Sequence, residues 1–296
     1  MRFGAIVLQD MPYQDLVRLW QKFETLGFDS TWVADHFINY ANPEGSWYDG
    51  WTVLTALAGV TSKIRIGTLV TSIALRNPAI LARQAMTVDH ISNGRLDIGI
   101  GAGAPGTIDP SYQMIGIDDW TFNERVERFR EQVEILDRLL SNTKSNYEGK
   151  YYQIDSAIMS PGPIQKPRPP LTVAAHTSPS LRLAVEYADV WVSFGDDFGA
   201  PVENIVKKTE KRIKKLDGYC EEIGRDVGTL GRSLLVFGEE ANTAFASEKY
   251  FVDIVKRYAS LGMTELVFFY PFFAPDQIPT FEKIAKDVIP GLRDAY

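Results

Sequence analysis

An adjacent pair of ionisable side chains, Asp35 and His36, follows a short apolar run at residues 30–33. A histidine exchanges a proton near neutral pH, and an aspartate beside it can orient a polar ring or accept its hydrogen bond. The pair therefore suits acid–base chemistry on a small molecule. By itself a dipeptide is also compatible with a loop aspartate and a histidine held by backbone groups.

A second candidate site is the stretch His176-Thr177-Ser178, which precedes a helical pattern at residues 180–187. Hydroxyl groups and free amide groups at the start of a helix stabilise an anion. Gly195, after the next apolar run, adds a backbone position without a side chain. We expect these four residues to bind a phosphate, and ordinary helix capping by Thr177 or Ser178 is the alternative.

Three glycines, Gly99, Gly101 and Gly103, alternate across the end of another apolar run. Alternating glycines let the backbone approach a flat ligand with no side chain in the way. The pattern is not the dinucleotide fingerprint, which opens a helix, because Ala104-Pro105-Gly106 follows here. Close packing between strands explains the same spacing.

Composition excludes several classes of protein. The chain has 296 residues, with 31 Lys and Arg against 38 Asp and Glu, and its only cysteine is Cys220. One cysteine forms no intrachain disulfide and suits a reducing compartment, and the acidic balance argues against a nucleic-acid surface. The first apolar run is too short for a signal peptide or a membrane span. We expect a cytoplasmic protein that binds neither nucleic acid nor membrane.

Two further features have plain interpretations. The three histidines, His36, His90 and His176, show no metal-ligand spacing, so we predict no metal site. The basic cluster at residues 207–215 alternates with apolar residues at helical spacing and predicts a solvated helix face.

These candidate residues must be positioned by a repeating set of elements. Eight apolar runs alternate with helical patterns; the runs cover residues 3–8, 30–33, 64–69, 96–100, 171–175, 190–193, 234–237 and 265–270. Continuous apolar runs are typical of parallel strands buried on both faces. The pattern predicts an α/β fold, a single (β/α)8 TIM barrel over residues 1–296, with an insertion at about 142–170 after the fourth helix. Gly27 and Gly262 stand at equivalent helix ends, where a left-handed residue is expected.

The barrel brings the candidate residues together. Barrels of this kind carry their sites on the loops that follow the C-terminal ends of the strands. Asp35, His36, the glycines and the residues from His176 to Gly195 all follow predicted strands. We therefore expect one site at one mouth of the barrel.

The chain resembles the bacterial luciferase-like superfamily of flavin- and deazaflavin-dependent oxidoreductases. The most specific part is a block of about forty residues that match in order: IRIGTLVTS at 64–72, RNPA at 76–79, LARQ at 81–84, TVD at 87–89, SNGR at 92–95 and GIGAG at 99–103. The stretch at 171–178, with Ala188 to Trp191 after it, resembles the family's second fingerprint, where the cofactor phosphate is held.

The resemblance implies a cofactor ring lying across the barrel mouth. Luciferase and its monooxygenase relatives use reduced FMN and oxygen and commonly show Glu-His-His after the second strand. Members that use coenzyme F420 commonly show Asp-His, as here, and often a non-proline cis peptide, which would fall at Leu69-Val70. The resemblance thus implies F420, with FMN as the alternative. The implied ring contacts are Asp35, Leu69, Val70, Thr71, Gly101 and Gly103.

One departure from the family pattern concerns the catalytic residues. Sugar-phosphate dehydrogenases of the deazaflavin branch carry a tryptophan shortly after the histidine and a catalytic glutamate after the glycines, where this chain has Tyr40 and Ala104. The resemblance therefore does not extend to that activity, and His36 or Tyr40 is the expected proton donor. Trp47, Tyr48 and Trp51 would either line a substrate pocket or pack in the core.

Three functional hypotheses remain. The first is hydride transfer between F420 and a small organic substrate, and the second is an FMN-dependent monooxygenase supplied by a separate flavin reductase. The third is a catalytically idle flavin-binding protein on the same barrel. The resemblance also implies a homodimer, for which residues 53–60 and 79–85 offer small side chains, although contacts with the barrel explain the same residues.

Overall fold

Eight parallel strands close into a barrel in the part of the chain that the computed structural model describes, residues 1–40, 42–106, 108–195 and 200–296. The strands in chain order are β1 Arg2–Ile6, β2 Ser30–Asp35, β3 Arg65–Ser72, β4 Leu96–Gly101, β5 Lys144–Glu148, β6 Gln153–Ile158, β7 Leu171–Ala174, β8 Val190–Ser193, β9 Gly231–Leu235 and β10 Glu265–Phe269. The barrel order is β1-β10-β9-β8-β7-β4-β3-β2, and β5 and β6 form a separate antiparallel pair.

Helices follow the barrel strands on the outside. They are α1 Tyr13–Leu26, α2 Gly50–Ala58, α3 Pro78–Ile91, α4 Ser111–Met114, α5 Phe122–Ser141, α6 Ser178–Tyr187, α7 Val202–Ile223, α8 Glu239–Thr243, α9 Glu248–Ala259, α10 Ile278–Lys283 and α11 Ile289–Ala295. The predicted (β/α)8 barrel is confirmed. Gly27 and Gly262 have φ of 83° and 85°, the left-handed conformation expected at both helix ends.

Several boundaries differ from the prediction. Strand β9 starts at Gly231, whereas the apolar run that predicted it starts at residue 234. Its first residues are less apolar but pair with β8. The short helices α4 and α8 were not predicted, since four or five residues give too little periodicity. The last helical stretch of the chain is interrupted by a π-helical segment, Ile284–Val288, between α10 and α11.

Two residues of the family block tie elements together. The guanidinium of Arg95 donates to the carbonyls of Ala58, Thr61 and Ile64 and so closes the end of α2. The Asp89 carboxylate accepts from backbone amides at 164 and 165 and fixes the segment between α5 and β7 against α3. These contacts show that Arg95 and Asp89, two residues of the block, stabilise the fold.

Strand β3 contains an irregularity next to the barrel mouth. The Leu69-Val70 peptide is cis, as the resemblance implied. Val33 pairs with Thr68 whereas Asp35 pairs with Thr71, so β3 carries one extra residue relative to β2. Leu69 packs in the barrel interior, and Val70 is only partly buried. The bulge thus brings the Val70 side chain to the mouth.

No helix among the residues described above is long and apolar enough to cross a membrane.

Candidate active site

Asp35, the last residue of β2, is almost fully buried and bound by an arginine. Its two carboxylate oxygens accept hydrogen bonds of 2.8 and 2.6 Å from Nε and Nη2 of Arg76, which also donates to Asp49 at 2.7 Å. Burial alone would lower the pKa of Arg76, but hydrogen bonds and charges of the two aspartates raise it. Asp35 therefore anchors the strand end through Arg76. In the sequence, Arg76 stood out only as the first residue of the RNPA motif at 76–79.

His36 is held on two sides. The hydroxyl of Tyr40 lies 2.6 Å from Nδ1 of the ring, and the indole of Trp47 donates to the His36 carbonyl at 2.8 Å. Burial lowers the pKa of His36, although the charges of Asp109 and Asp35 act in the opposite direction. Burial therefore favours the neutral imidazole; Tyr40 fixes the ring, and Trp47 holds the backbone of His36.

The Tyr40 hydroxyl also meets a carboxylate that sequence reasoning missed. Asp109 lies close to this hydroxyl, and burial together with the Asp109 carboxylate raises the pKa of Tyr40. Asp109 is only 1% exposed and accepts the amide of Ser111 at 2.9 Å. It lies in the long loop between β4 and α5, and no spacing or motif distinguishes it from other acidic loop residues. Its position after a barrel strand is the one signal that would have pointed to it.

The glycines at the end of β4 are packed against protein atoms. A Cβ atom at Gly99 would lie 1.8 Å from the Thr68 carbonyl oxygen, and one at Gly101 would lie 2.7 Å from the Val70 side chain. At Gly103, whose φ is 74°, it would lie 2.5 Å from the Tyr112 hydroxyl. The spacing of the three glycines is explained by close approach to β3 and to the loop, which favours the packing alternative.

Other expected ring contacts are also engaged inside the protein. Thr71 is fully buried; its hydroxyl accepts from the Trp51 indole at 2.8 Å and donates to Thr68 at 3.0 Å. Trp51 therefore packs in the core, while Tyr48 is exposed and Trp47 supports His36. Of the expected ring contacts on β3, Val70 is the one with an accessible side chain.

The mouth of the barrel has an apolar floor and an aromatic wall. The floor consists of partly buried side chains that pack on the barrel interior: Val70, Ala174, Leu235 and Phe269. The wall follows four successive strand ends, with ring centroids 4.2 Å apart for His176 and Phe194, 5.9 Å for Phe194 and Phe237, and 5.9 Å for Phe237 and Phe269. Sequence analysis identified His176 and missed the three phenylalanines, because single aromatics at strand ends look like core residues.

Hydrogen bonds that cap α6 occupy part of the predicted phosphate loop, His176 to Ser178. The amides of His176 and Thr177 donate to the Ser180 hydroxyl at 3.2 and 3.1 Å. Part of the donor set expected for a phosphate is therefore used within the loop. The structure thus shows helix capping in this loop, and the Ser180 hydroxyl is the group that accepts the two amides.

Two cations from α7 approach the same loops. Lys215 Nζ donates to the Ser178 hydroxyl at 3.0 Å. Arg212 donates to the Gly195 carbonyl and, at 3.2 Å, to the Ser193 hydroxyl. The basic cluster was expected to be a solvated face; Lys214, paired with Glu210, fits that expectation and Arg212 does not. Periodicity alone could not show that α7 crosses these loops.

Among the described residues, no three His, Cys, Asp or Glu side chains come together in a group that could hold a metal ion.

The chain matches the sequence model of the luciferase-like monooxygenase family over residues 1–266. It belongs to that family. The chain is 32% identical over 74% of its length to 5,10-methylenetetrahydromethanopterin reductase of Archaeoglobus fulgidus, of which the match covers 61%. It is 27% identical to the F420-dependent glucose-6-phosphate dehydrogenase of Segniliparus rotundus, with 95% of this chain and 94% of that protein covered. Pyrimidine monooxygenase RutA of Escherichia coli is 30% identical over 73% of this chain and 57% of its own length.

Solved structures share the fold of this luciferase-like chain. An F420-dependent secondary alcohol dehydrogenase in complex with an F420-acetone adduct superimposes with a TM-score of 0.82 at 19% identity, covering 99% of both chains. The coenzyme F420 dependent tetrahydromethanopterin reductase of Methanopyrus kandleri gives a TM-score of 0.78 at 21% identity, covering 98% of this chain and 99% of that one.

Proposed function

We propose that this chain transfers a hydride between coenzyme F420 and a small organic substrate at the barrel mouth. The observation that carries the proposal is the position of His36 directly after β2, with Nδ1 fixed 2.6 Å from the Tyr40 hydroxyl. Nε2 is then the ring nitrogen left to serve a substrate. When bound, F420 supplies the carbon that accepts or gives the hydride.

His36 would handle the proton that accompanies the hydride. In the oxidation of an alcohol, the C–H bond gives up a hydride and the O–H bond gives up a proton, so a carbonyl forms. Nε2 of His36 would take that proton, and in the reverse direction the imidazolium would return it. The lowered pKa of His36 keeps the ring in its basic form at pH 7.

The floor and wall fit a flat ring. Val70, Ala174, Leu235 and Phe269 offer an apolar surface, and His176 and Phe194 offer aromatic edges. Apolar and aromatic side chains with a few polar groups are typical of cofactor sites. Asp35, Leu69, Thr71, Gly101 and Gly103 would act from behind this surface, by fixing its shape.

An anionic tail fits the opposite side of the mouth. We propose that His176, Thr177, Ser178 and Gly195 hold the cofactor phosphate together with Lys215 and Arg212. Charged donors make stronger hydrogen bonds to phosphate than neutral groups do. In a chain of net charge −7, such local cations are needed to attract an anion.

The similarity to an F420-dependent dehydrogenase along nearly the whole chain supports F420. The similarity to RutA favours the alternative, an FMN-dependent monooxygenase that receives reduced FMN from a separate flavin reductase. The two differ in their need for oxygen, because hydride transfer with F420 proceeds without it.

The test is anaerobic turnover with a panel of small alcohols and carbonyl compounds, followed through the absorbance of F420. We expect wild-type protein to convert at least one substrate, and His36→Ala to bind F420 but lose turnover. Oxygen-dependent oxidation with reduced FMN only would establish the monooxygenase. If neither wild type nor His36→Ala converts any substrate of the panel while the cofactor is still bound, the chain is the idle flavin-binding protein.

We further propose a homodimer formed through α2 and α3. Leu54, Leu57, Leu81 and Ala85 face the barrel, so they are not available to a second chain. Ala56 on α2 and Ile80 on α3, which is 59% exposed, face outward, and the exposed Gly59 follows α2. Light scattering should give twice the chain mass, and Ile80→Glu should halve it; a monomeric wild type would contradict the proposal.

A cytoplasmic location stays a prediction.

A further inference from the structure

We propose that the substrate is an uncharged, largely apolar alcohol or carbonyl compound, because the loops around the barrel mouth combine a lack of available cations with exposed aromatic side chains. This inference names the substrate class of the site and rests on the proposed function. Its electrostatic part is a property of the protein alone and is measured without cofactor.

The mouth loops are the segments that lead from each barrel strand to α1, α2, α3, α5, α6, α7, α9 and α10 in turn. They are residues 7–12, 36–49, 73–77, 102–121, 175–177, 194–201, 236–247 and 270–277. By sequence these loops contain no lysine and one arginine, Arg76, whereas carboxylates occur in most of them. Arg76 binds Asp35 and Asp49, so its charge is already compensated.

Arginines that approach the mouth loops from helices are also paired with carboxylates. The pairs are Arg125 with Asp119, Arg128 with Glu124 and Arg257 with Glu240. Arg212 and Lys215 contact the loops after β8 and β7, where the cofactor phosphate is proposed to bind. In the closed barrel, β8 lies opposite β2. These two cations therefore lie across the mouth from His36.

The surroundings of His36 are negative. The carboxylate of Asp109 is buried, and its charge acts on the His36 ring together with that of Asp35. Arg76 compensates Asp35, whereas the group that donates to Asp109, at 2.9 Å, is the neutral amide of Ser111. A phosphate or carboxylate beside His36 would lose its hydration next to a like charge, which opposes binding. We therefore expect the site to reject anions.

The same carboxylates do not form a site for a cation. Both oxygens of Asp35 accept from Arg76, and Asp109 is shielded from solvent, so neither presents an open oxygen to a substrate ammonium group. The floor of the mouth, which includes Val70 and Phe269, is apolar. A neutral molecule needs no counter-charge when it leaves water, so it fits these surroundings better than either ion does.

Exposed aromatic side chains are concentrated at this end of the barrel. The exposed phenylalanines that the structure describes lie in the mouth loops, apart from Phe122, which directly follows one; the others are Phe37, Phe194, Phe272 and Phe273. Phe273 is 76% exposed. Exposed apolar side chains that are grouped around a site mark a surface that binds apolar groups. They would contact the part of the substrate that extends from the reacting carbon toward solvent.

Two tryptophans report the charge of the mouth. Trp47 lies beside His36, because its indole binds the His36 carbonyl, and Trp120 lies under Arg128, whose guanidinium is 4.5 Å from the ring centroid. Both are partly exposed, and the other four of the 6 tryptophans are buried. Trp120→Phe and Trp47→Phe therefore each leave one accessible indole in a chain of the same net charge.

Fluorescence quenching by iodide, by caesium and by neutral acrylamide, at low salt and without cofactor, tests the electrostatic part. With each constant taken relative to free N-acetyltryptophanamide, we expect iodide to quench Trp120→Phe about threefold or more below caesium. The difference should be smaller in Trp47→Phe, because Arg128 attracts the anion there. Equal quenching of Trp120→Phe by iodide and caesium, or an equal difference in the two variants, would overturn the inference.

A secondary hydroxy acid and its methyl ester form a matched pair of substrates, since they differ mainly in charge. With F420, we expect kcat/KM for the ester to be on the order of a hundredfold higher, because the acid meets an unfavourable charge in the site. An amino alcohol of equal chain length should also be poor. Preference for the acid or for the amino alcohol would overturn this inference alone, whereas no turnover of any neutral substrate would overturn the proposed function.

Phe273→Ser tests the apolar surface at a position whose exposure makes loss of the fold no concern. It should lower kcat/KM for a long-chain ester by about tenfold and leave the shortest ester unchanged, because only the long chain reaches the ring. Ile223→Ser is the matched control, since Ile223 is also exposed but lies at the end of α7, away from the mouth. Equal values for Phe273→Ser and Ile223→Ser with both esters would refute the apolar surface.

Discussion

Nδ1 of His36 lies 2.6 Å from the hydroxyl oxygen of Tyr40, four residues further along the chain. An indole at this position could only donate. A hydroxyl both donates and accepts, and Asp109 from the loop after β4 lies close to it and raises its pKa. The proposed acid–base residue His36 thus has neighbours from two strand ends that are separated by β3.

The first prediction concerns the pH dependence of stability. The folded state lowers the pKa of His36 below its ordinary value of 6.5, so below that pH the unfolded chain binds a proton that the folded chain does not. The contribution of His36 is fully present above 6.5 and is lost as the pH falls. Urea denaturation should show stability falling on acidification, with a slope of at most about 1.4 kcal/mol per pH unit from this residue.

His36→Gln should remove that part of the slope. His90→Gln is the control, because the His90 ring is on the surface, where its Nε2 contacts the Gly162 carbonyl. If wild type and His36→Gln lose stability in parallel between about pH 7.5 and pH 5.5, His36 is not held in the neutral form.

The second prediction concerns the partner of Asp35. Arg76→Met should leave a nearly buried carboxylate without its counter-charge, at a cost of about 3–5 kcal/mol in the free energy of unfolding. Adding Asp35→Asn should recover part of this loss, since the uncompensated charge is gone. Arg18→Met, which breaks an exposed pair with Asp15, should change the unfolding curve little. Equal effects of the two arginine variants would mean that Asp35 and Arg76 do not depend on each other.

The third prediction concerns the anion site. Lys215→Met should weaken a phosphorylated cofactor by about tenfold, or about 1.4 kcal/mol, because it removes the cation beside Ser178. Lys214→Met, one residue earlier and paired with Glu210, is the matched control and should bind as wild type does. Calorimetry with FMN and with riboflavin, which lacks the phosphate, provides the second comparison.

The combined change of Thr177→Asp and Ser178→Asp should weaken FMN by tenfold or more and leave riboflavin nearly unchanged. Equal weakening of both ligands would show that the loop supports the fold and that the phosphate binds elsewhere.

The barrel could be predicted from the sequence because its signals are local. Apolar runs marked each strand, periodicity marked the long helices, and Gly27 was predicted as the left-handed end of α1. The short helices α4 and α8 lacked such signals. The cis peptide at Leu69-Val70 came from the resemblance and not from any pattern within the chain.

The sequence placed Asp35 and His36 at a strand end, where the structure has them, but it did not show their contacts. Asp109 lies in a loop, and Arg212 and Lys215 lie on a helix whose direction is set by tertiary packing. The glycines illustrate the same limit: spacing suggested room for a ligand, whereas Val70 and Tyr112 fill that room.

Equilibrium titration of the wild-type protein with F420 and with FMN, under identical anaerobic conditions, tests the central claim most directly. We expect micromolar or tighter binding of F420, followed by fluorescence, with FMN bound more weakly. Micromolar binding of FMN with none of F420 would contradict the proposed hydride transfer with F420.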